Sequence, residues 1–186
     1  MAADDDPRAL LTRALEQNFE IISRIRPDQS SLPTPCADWD VRALVNHTVY
    51  DLRAFTASVS DGERPSIDDD LIGANWTIAY RMASDSLLEA WRRRGIVGTL
   101  QLGAGGRPAA WVAAMHFTGQ TIHGWDIASA IGHSTDLDPE IGQAALDWAR
   151  ETLEPFRGRA FGREVPVPVD APVYERLAGL CGRSPS

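Results

Sequence analysis

Residues 116–130 read HFTGQTIHGWDIASA. Two of the chain's four histidines, His116 and His123, stand here seven residues apart with Gln120 between them. The apolar residues around them repeat at helical spacing, so the stretch reads as the middle of a buried helix. At 100° per residue, His116, Gln120 and His123 fall within about 60° of one another and form a single stripe. Seven residues also rise roughly 10 Å, too far for both imidazoles to reach one ion easily. A metal on this stripe would therefore take one histidine, with or without Gln120, and draw its other ligands from a second helix. The competing reading is a pair of core histidines, each hydrogen-bonded to a neighbour.

Working outward, the stripe belongs to a helix from about 108 to 131, stopped by Gly132. Four more helical segments carry the same 3.6-residue period. One runs from 7 to about 25, with Pro7 in its first turn. One runs from 41 to about 60 behind Asp40 as N-cap. A third spans roughly 71–94 and stops at Gly95, with Arg92, Arg93 and Arg94 complementing the dipole of its last turn. The fifth spans 139 to about 157. Residues 96–102 are a short β-branched and apolar run, and GAGGRP after it reads as a turn. The expected class is all-α: a helical bundle over residues 1–160, with a helical or extended tail over 161–186 packed across it, in one domain. Loops longer than ten residues after the first three helices permit an order other than simple up-and-down.

Composition narrows the function. The net charge is −8 over 186 residues. Nucleic acid and anionic membrane are thereby unexpected partners, since both need clustered cations. All 18 basic residues are arginine, so no lysine is available as a Schiff-base or general-base group. No window approaches a membrane span, and the acidic start MAADDDPRALL lacks the pattern of a secretory signal. A cytoplasmic protein with reduced thiols is expected. Two cysteines rule out a four-cysteine zinc cluster. Cys36, in a proline-bounded loop with nothing basic beside it in sequence, reads as structural, and His133 as exposed. The chain carries no nucleophile elbow, P-loop, dinucleotide fingerprint or HExxH.

The second helix supplies partners for the stripe. NHTVYD sets His47 and Asp51 at i and i+4, one turn apart on one face. A histidine and a carboxylate on one helix facing a histidine on another suit zinc, nickel, iron or manganese. The metal candidates are thus His47, His123, Asp51 and Gln120. Asp126, one turn beyond His123, would hold the imidazole N–H from outside. His116 and Trp125 would line a pocket with them.

Three stretches resemble a known family. TPCADWDVRALVNHTV (34–49) is similar to the T-P-C-x-x-W-x-V-x-x-L-x-x-H signature of the DinB-like, mycothiol-dependent maleylpyruvate isomerase N-terminal-domain proteins. HGWDIASAIG (123–132) and FGREVPVPVDAPVYERLAGLCGRSP (161–185) resemble an actinobacterial, metal-binding branch of that superfamily. The resemblance implies a DinB-like four-helix bundle in up-down-down-up order. It also implies a divalent metal, such as zinc or nickel, on three side chains: a histidine of the second helix, and an acid plus a histidine four residues later on the fourth. His47 and His123 match the histidines, but Gly119 stands where the acid belongs. Asp51, Gln120 or His116 would have to replace it, and Gly119 also clears room for a small molecule.

In these relatives the metal activates a low-molecular-weight thiol, mycothiol, for attack on an electrophile. The isomerase itself carries a separate C-terminal domain where this chain has a short tail, so isomerase activity is not implied. Three functions follow as expectations. One is a thiol-dependent (mycothiol-type) transferase or detoxification enzyme with a divalent-metal site and a small-molecule substrate. Another is a metal-free small-molecule binder or pathway enzyme on the same bundle. The third is a non-catalytic helical partner, forming a homodimer through an exposed apolar face.

Overall fold

The computed structural model describes residues 6–37, 39–102, 105–158 and 160–185. Among them, besides two single-turn 3-10 helices (Pro27–Gln29 and Glu154–Phe156), are six α-helices and one two-stranded antiparallel sheet: α1 (Pro7–Ser23), α2 (Val41–Ser60), α3 (Trp76–Arg94), β1 (Thr99–Leu102), β2 (Gly105–Pro108), α4 (Ala109–Ala130), α5 (Pro139–Thr152) and α6 (Val173–Leu180). No helix is long and apolar enough to cross a membrane. The chain is mostly helical, and its hairpin corrects a purely α reading.

Local chemistry explains most boundaries. Asp6 accepts from the Arg8 N–H ahead of Pro7. Asp40 accepts from Ala43 N–H at 2.8 Å to open α2, and Asp138 from Glu140 and Ile141 N–H to open α5. Helix α3 begins at Trp76 rather than near 71, because the apolar pair Leu71 and Ile72 sits in a turn. There Gly73 adopts φ +53°, donating its N–H to Asp70 Oδ1, and Asn75 then caps the helix through Ile78 N–H. The turn is tied back to α2, with Asn46 accepting from Leu71 N–H and donating to Asp69 O. At the other end Gly95, φ +73°, stops the helix. Helices α1 and α5 end at Ser23 and Thr152, earlier than their apolar period suggests. The glycine-rich 105–108 segment is itself a strand, pairing Leu100 with Arg107 and Gln101 with Gly106. Residues 103 and 104, also read as turn, lie outside the described residues.

Helix α4 is the axis of the packing. It packs along α1 and against α2 and α5, while α2 packs along α3 and α3 touches α1. From Phe117 to Ala128 every α4 residue except Gly119 is buried. The approach of α1 is close: a side chain on Gly124 would overlap Asn18 Oδ1, so glycine is required there. The core joins Leu11 and Leu15 of α1, Leu44 and Leu52 of α2, Leu87 and Trp91 of α3, and Ile122 and Ile127 of α4. The tail lies over α5, where Tyr174 of α6 donates to Asp138 O and meets the α-carbon face of Gly142. This packing carries Arg183, just past α6, down to α4.

Candidate functional site

His123 is held from one side by an ion network. Its Nδ1 lies 3.2 Å from Asp126 Oδ2, one turn on along α4. Arg183 forks onto the same carboxylate, with Nε 3.1 Å from Oδ1 and Nη2 2.9 Å from Oδ2, and donates Nη1 to Cys181 O. Burial alone would raise Asp126. The hydrogen bond from His123 and the charge of Arg183 outweigh it and hold the carboxyl below its ordinary value. An ionised Asp126 has no proton to give, so Nδ1 of His123 is the donor in this hydrogen bond.

His47 approaches from α2. Its ring meets that of His123 edge to face, centroids 5.2 Å apart and planes at 90°. Trp39 stacks on its other side at 4.1 Å. Its Nε2 lies 3.4 Å from Asp51 Oδ2, while its Nδ1 is buried with no hydrogen-bond partner. Burial, with the nearby His123 second, pushes the His47 pKa down to about 3, which keeps the ring neutral at physiological pH. Burial lifts Asp51 to about 6, against the opposing pull of His123 and Arg64. Arg64 hydrogen-bonds Tyr50 Oη at 3.4 Å beside this pair.

His47, Asp51 and His123 therefore lie together, and Gln120 lies elsewhere in the bonding. Its side-chain oxygen accepts from Tyr80 Oη at 3.3 Å and Asn18 Nδ2 at 3.4 Å, and its nitrogen points at Thr48 O. These contacts knit four helices in the core. His116 is also core: it stacks on Phe55 at 4.0 Å, 7° from parallel, and burial pushes it to about 3. Trp125 is buried, with an indole N–H that finds no partner. Gly119 faces open space, with nothing within 4 Å of where a β-carbon would sit. His133 is half-buried rather than exposed.

Cys36 is the residue whose surroundings the sequence hid. Among the described residues, Cys36, His123 and Asp126 are the group whose ligand atoms all lie within 4.8 Å of one another. Arg183, on the same Asp126 carboxylate, belongs to this cluster through Asp126. An imidazole thus stands near Cys36, but it comes from α4. The TPC motif was the available signal. Neither cysteine is in a disulfide.

A divalent cation fits one part of this cluster and not another. Buried His47 Nδ1 has no hydrogen-bond partner, a defect of about 1–3 kcal/mol that a cation would remove when the ring proton is on Nε2, toward Asp51. Asp126 is a poor ligand, since both its oxygens already serve Arg183 and His123, and a cation there would face a guanidinium.

Residues 11–128 match the model of the mycothiol maleylpyruvate isomerase N-terminal domain. The chain belongs to that family. The matched span contains His47, Asp51, Cys36, His123 and Asp126, whereas Arg183 lies beyond it. Uncharacterised proteins from two strains of Mycobacterium tuberculosis are each 32% identical over 183 residues, covering 96% of this chain and 98% of theirs. No solved structure matches.

Proposed function

We propose that this family member is a metal- and thiol-dependent transferase or detoxification enzyme of the cytoplasm. In this reading it is a single-domain DinB-like four-helix bundle, up-down-down-up, strapped by residues 161–186. One observation carries the reading: two imidazoles from different helices meet at 5.2 Å, each with its far nitrogen against a carboxylate one turn on. Histidines that bind metals are oriented by such carboxylates, which fix the tautomer and raise ligand basicity.

His47 would hold zinc or nickel through Nδ1 and His123 through Nε2. Asp51 and Asp126 would orient the rings, and Gln120 would stay in the core. A cation bound there would supply the charge that deprotonates a thiol near neutral pH. Trp39 walls the site against His47. The open side of Gly119 leaves room for a low-molecular-weight thiol such as mycothiol and a small electrophile.

Zinc titration of the chelated protein tests this, followed by conjugation of a small thiol to a model electrophile. One equivalent should bind, and His47→Ala or His123→Ala should abolish binding and conjugation. No binding at millimolar zinc would sink the metal reading. The alternative would then stand, a metal-free small-molecule site, supported by the low pKa of about 3 that keeps His47 neutral.

A further inference from the structure

We infer that the cleft between α2, α3 and the loop at 62–69 binds a small polyhydroxylated molecule carrying an oxyanion, which Arg53 and Arg64 hold. The inference deepens the reading above by naming a substrate class, and rests on it only for where the other end of the ligand reacts. The cleft encloses about 650 Å³, within the range of small-molecule pockets. In a chain of net charge −8 an exposed arginine has carboxylates to choose from. Arg42 takes Asp70, Arg81 takes Glu16, and Arg92 and Arg93 share Glu89. Arg53 and Arg64 line one cleft with Glu63 and Asp69, yet among the described residues neither makes an ion pair. Asp69 instead accepts from Ser66 N–H at 3.0 Å, and Arg64 reaches Tyr50 Oη at 3.4 Å. Two guanidiniums are left for an oxyanion, which their forked donors fit.

The rest of the lining accepts rather than donates. The hydroxyls of Thr56, Ser60 and Ser86 give their protons to Leu52 O at 2.7 Å, Thr56 O at 2.7 Å and Met82 O at 2.8 Å. Each oxygen keeps lone pairs for a ligand, and Glu63 adds a carboxylate. Such a wall takes hydroxyl hydrogens, and a plain acid without hydroxyls would leave it unpaired. Met82, 64% exposed, gives an apolar strip for the C–H face of such a molecule. Arg64 joins the cleft to the histidines. The Tyr50 ring beside it lies 22° from parallel to that of His47, centroids 6.4 Å apart. Arg53 stands six residues beyond His47 on α2, about 9 Å along the axis. That spacing sets the reach from the oxyanion of the ligand to its reacting atom.

The probes are glucose 6-phosphate and gluconate, with neutral glucose as reference, titrated by NMR into the metal-free full-length protein. At least one anion should shift amides of 53–69 and 82–86 saturably at millimolar concentration, and bind roughly tenfold more tightly than glucose. Whichever anion binds more tightly assigns the group as phosphate or carboxylate. Arg53→Gln and Arg64→Gln should each weaken that anion about tenfold. Arg24→Gln, at an exposed arginine outside the cleft, should change nothing. Shifts scattered over the surface, anions that bind no better than glucose, or equal losses in all three variants overturn this inference and leave the metal reading intact. Saturable binding in the cleft by a protein that takes up no zinc supports this inference and sinks the metal reading alone.

Discussion

His116 and His123 sit seven residues apart on one helix, and both are almost fully buried, at 2% and 9% exposure. Their environments are opposites. His116 lies flat on Phe55, with Nδ1 unpartnered and burial holding the ring neutral. His123 sits at the head of a charged chain, Asp126 then Arg183, and faces a second imidazole. Residue type, helix face and burial do not separate them. What separates them is what the other elements bring: an aromatic ring from α2 to one, a guanidinium from the tail to the other. A histidine becomes a candidate for chemistry when its far nitrogen is held by a carboxylate that is itself held.

The comparison breaks most severely at Arg183. Arg183→Met leaves Asp126, a carboxylate with no solvent exposure, with His123 as its one remaining side-chain partner among the described residues. Removing one partner of a buried pair costs about 3–5 kcal/mol, so urea unfolding should register a loss of that order. Loss of less than about 1 kcal/mol would mean that water reaches Asp126 and that His123 is not held as described.

At the His116 end the effect is smaller and depends on pH. The folded-state pKa is about 3, below an ordinary histidine value of about 6.5. Between those values the unfolded chain binds the extra proton, so stability is complete above about 6.5 and declines as pH falls toward 3. From pH 7 to pH 5 this one ring should cost about 2 kcal/mol. The wild type should lose that much more than His116→Met in paired urea titrations. Equal losses would show that the ring is solvated and that the contrast with His123 is false.

Between the two histidines, Gly119 offers a gentler test. A methyl there meets no atom, and a helix interior gains about 0.5–1 kcal/mol on losing a glycine. Gly119→Ala should therefore raise Tm by a few degrees. A drop would reveal that the open side of the helix closes on something. The smallest effect belongs to the solvent-facing counterpart of the Asp126–Arg183 pair. Glu89 contacts Arg92 and Arg93, each at 2.6 Å, in the open. Glu89→Ala should leave Tm unchanged within error. A measurable loss would show that exposed ion pairs matter here as buried ones do.

Much of the helical architecture was legible because period and punctuation agree. Asp40 caps where its sequence position suggests, and Gly95 stops α3. The start of α3 was not legible, because Leu71 and Ile72 keep the helical phase while Gly73 and Asn75 impose a turn. Strand β2 was hidden by its glycines, which have no side chain to signal a pleat. At the site, the nearness of His47 and His123 follows from facing stripes on α2 and α4. Gln120 shares the stripe, yet donors from α1 and α3 take up its oxygen, and stripe geometry does not reveal them. Cys36 was unreadable for the same reason in reverse: His123 and Asp126 come to it from α4.

The pairing of Asp126 with Arg183 spans 57 residues of chain. At roughly 5–20 residues per second of synthesis, the carboxylate waits on the order of 3–11 s for its guanidinium. Through that interval the carboxylate has only His123 of its own helix to meet it. Synthesis therefore sets a delay between making His123 and completing the ion network behind it.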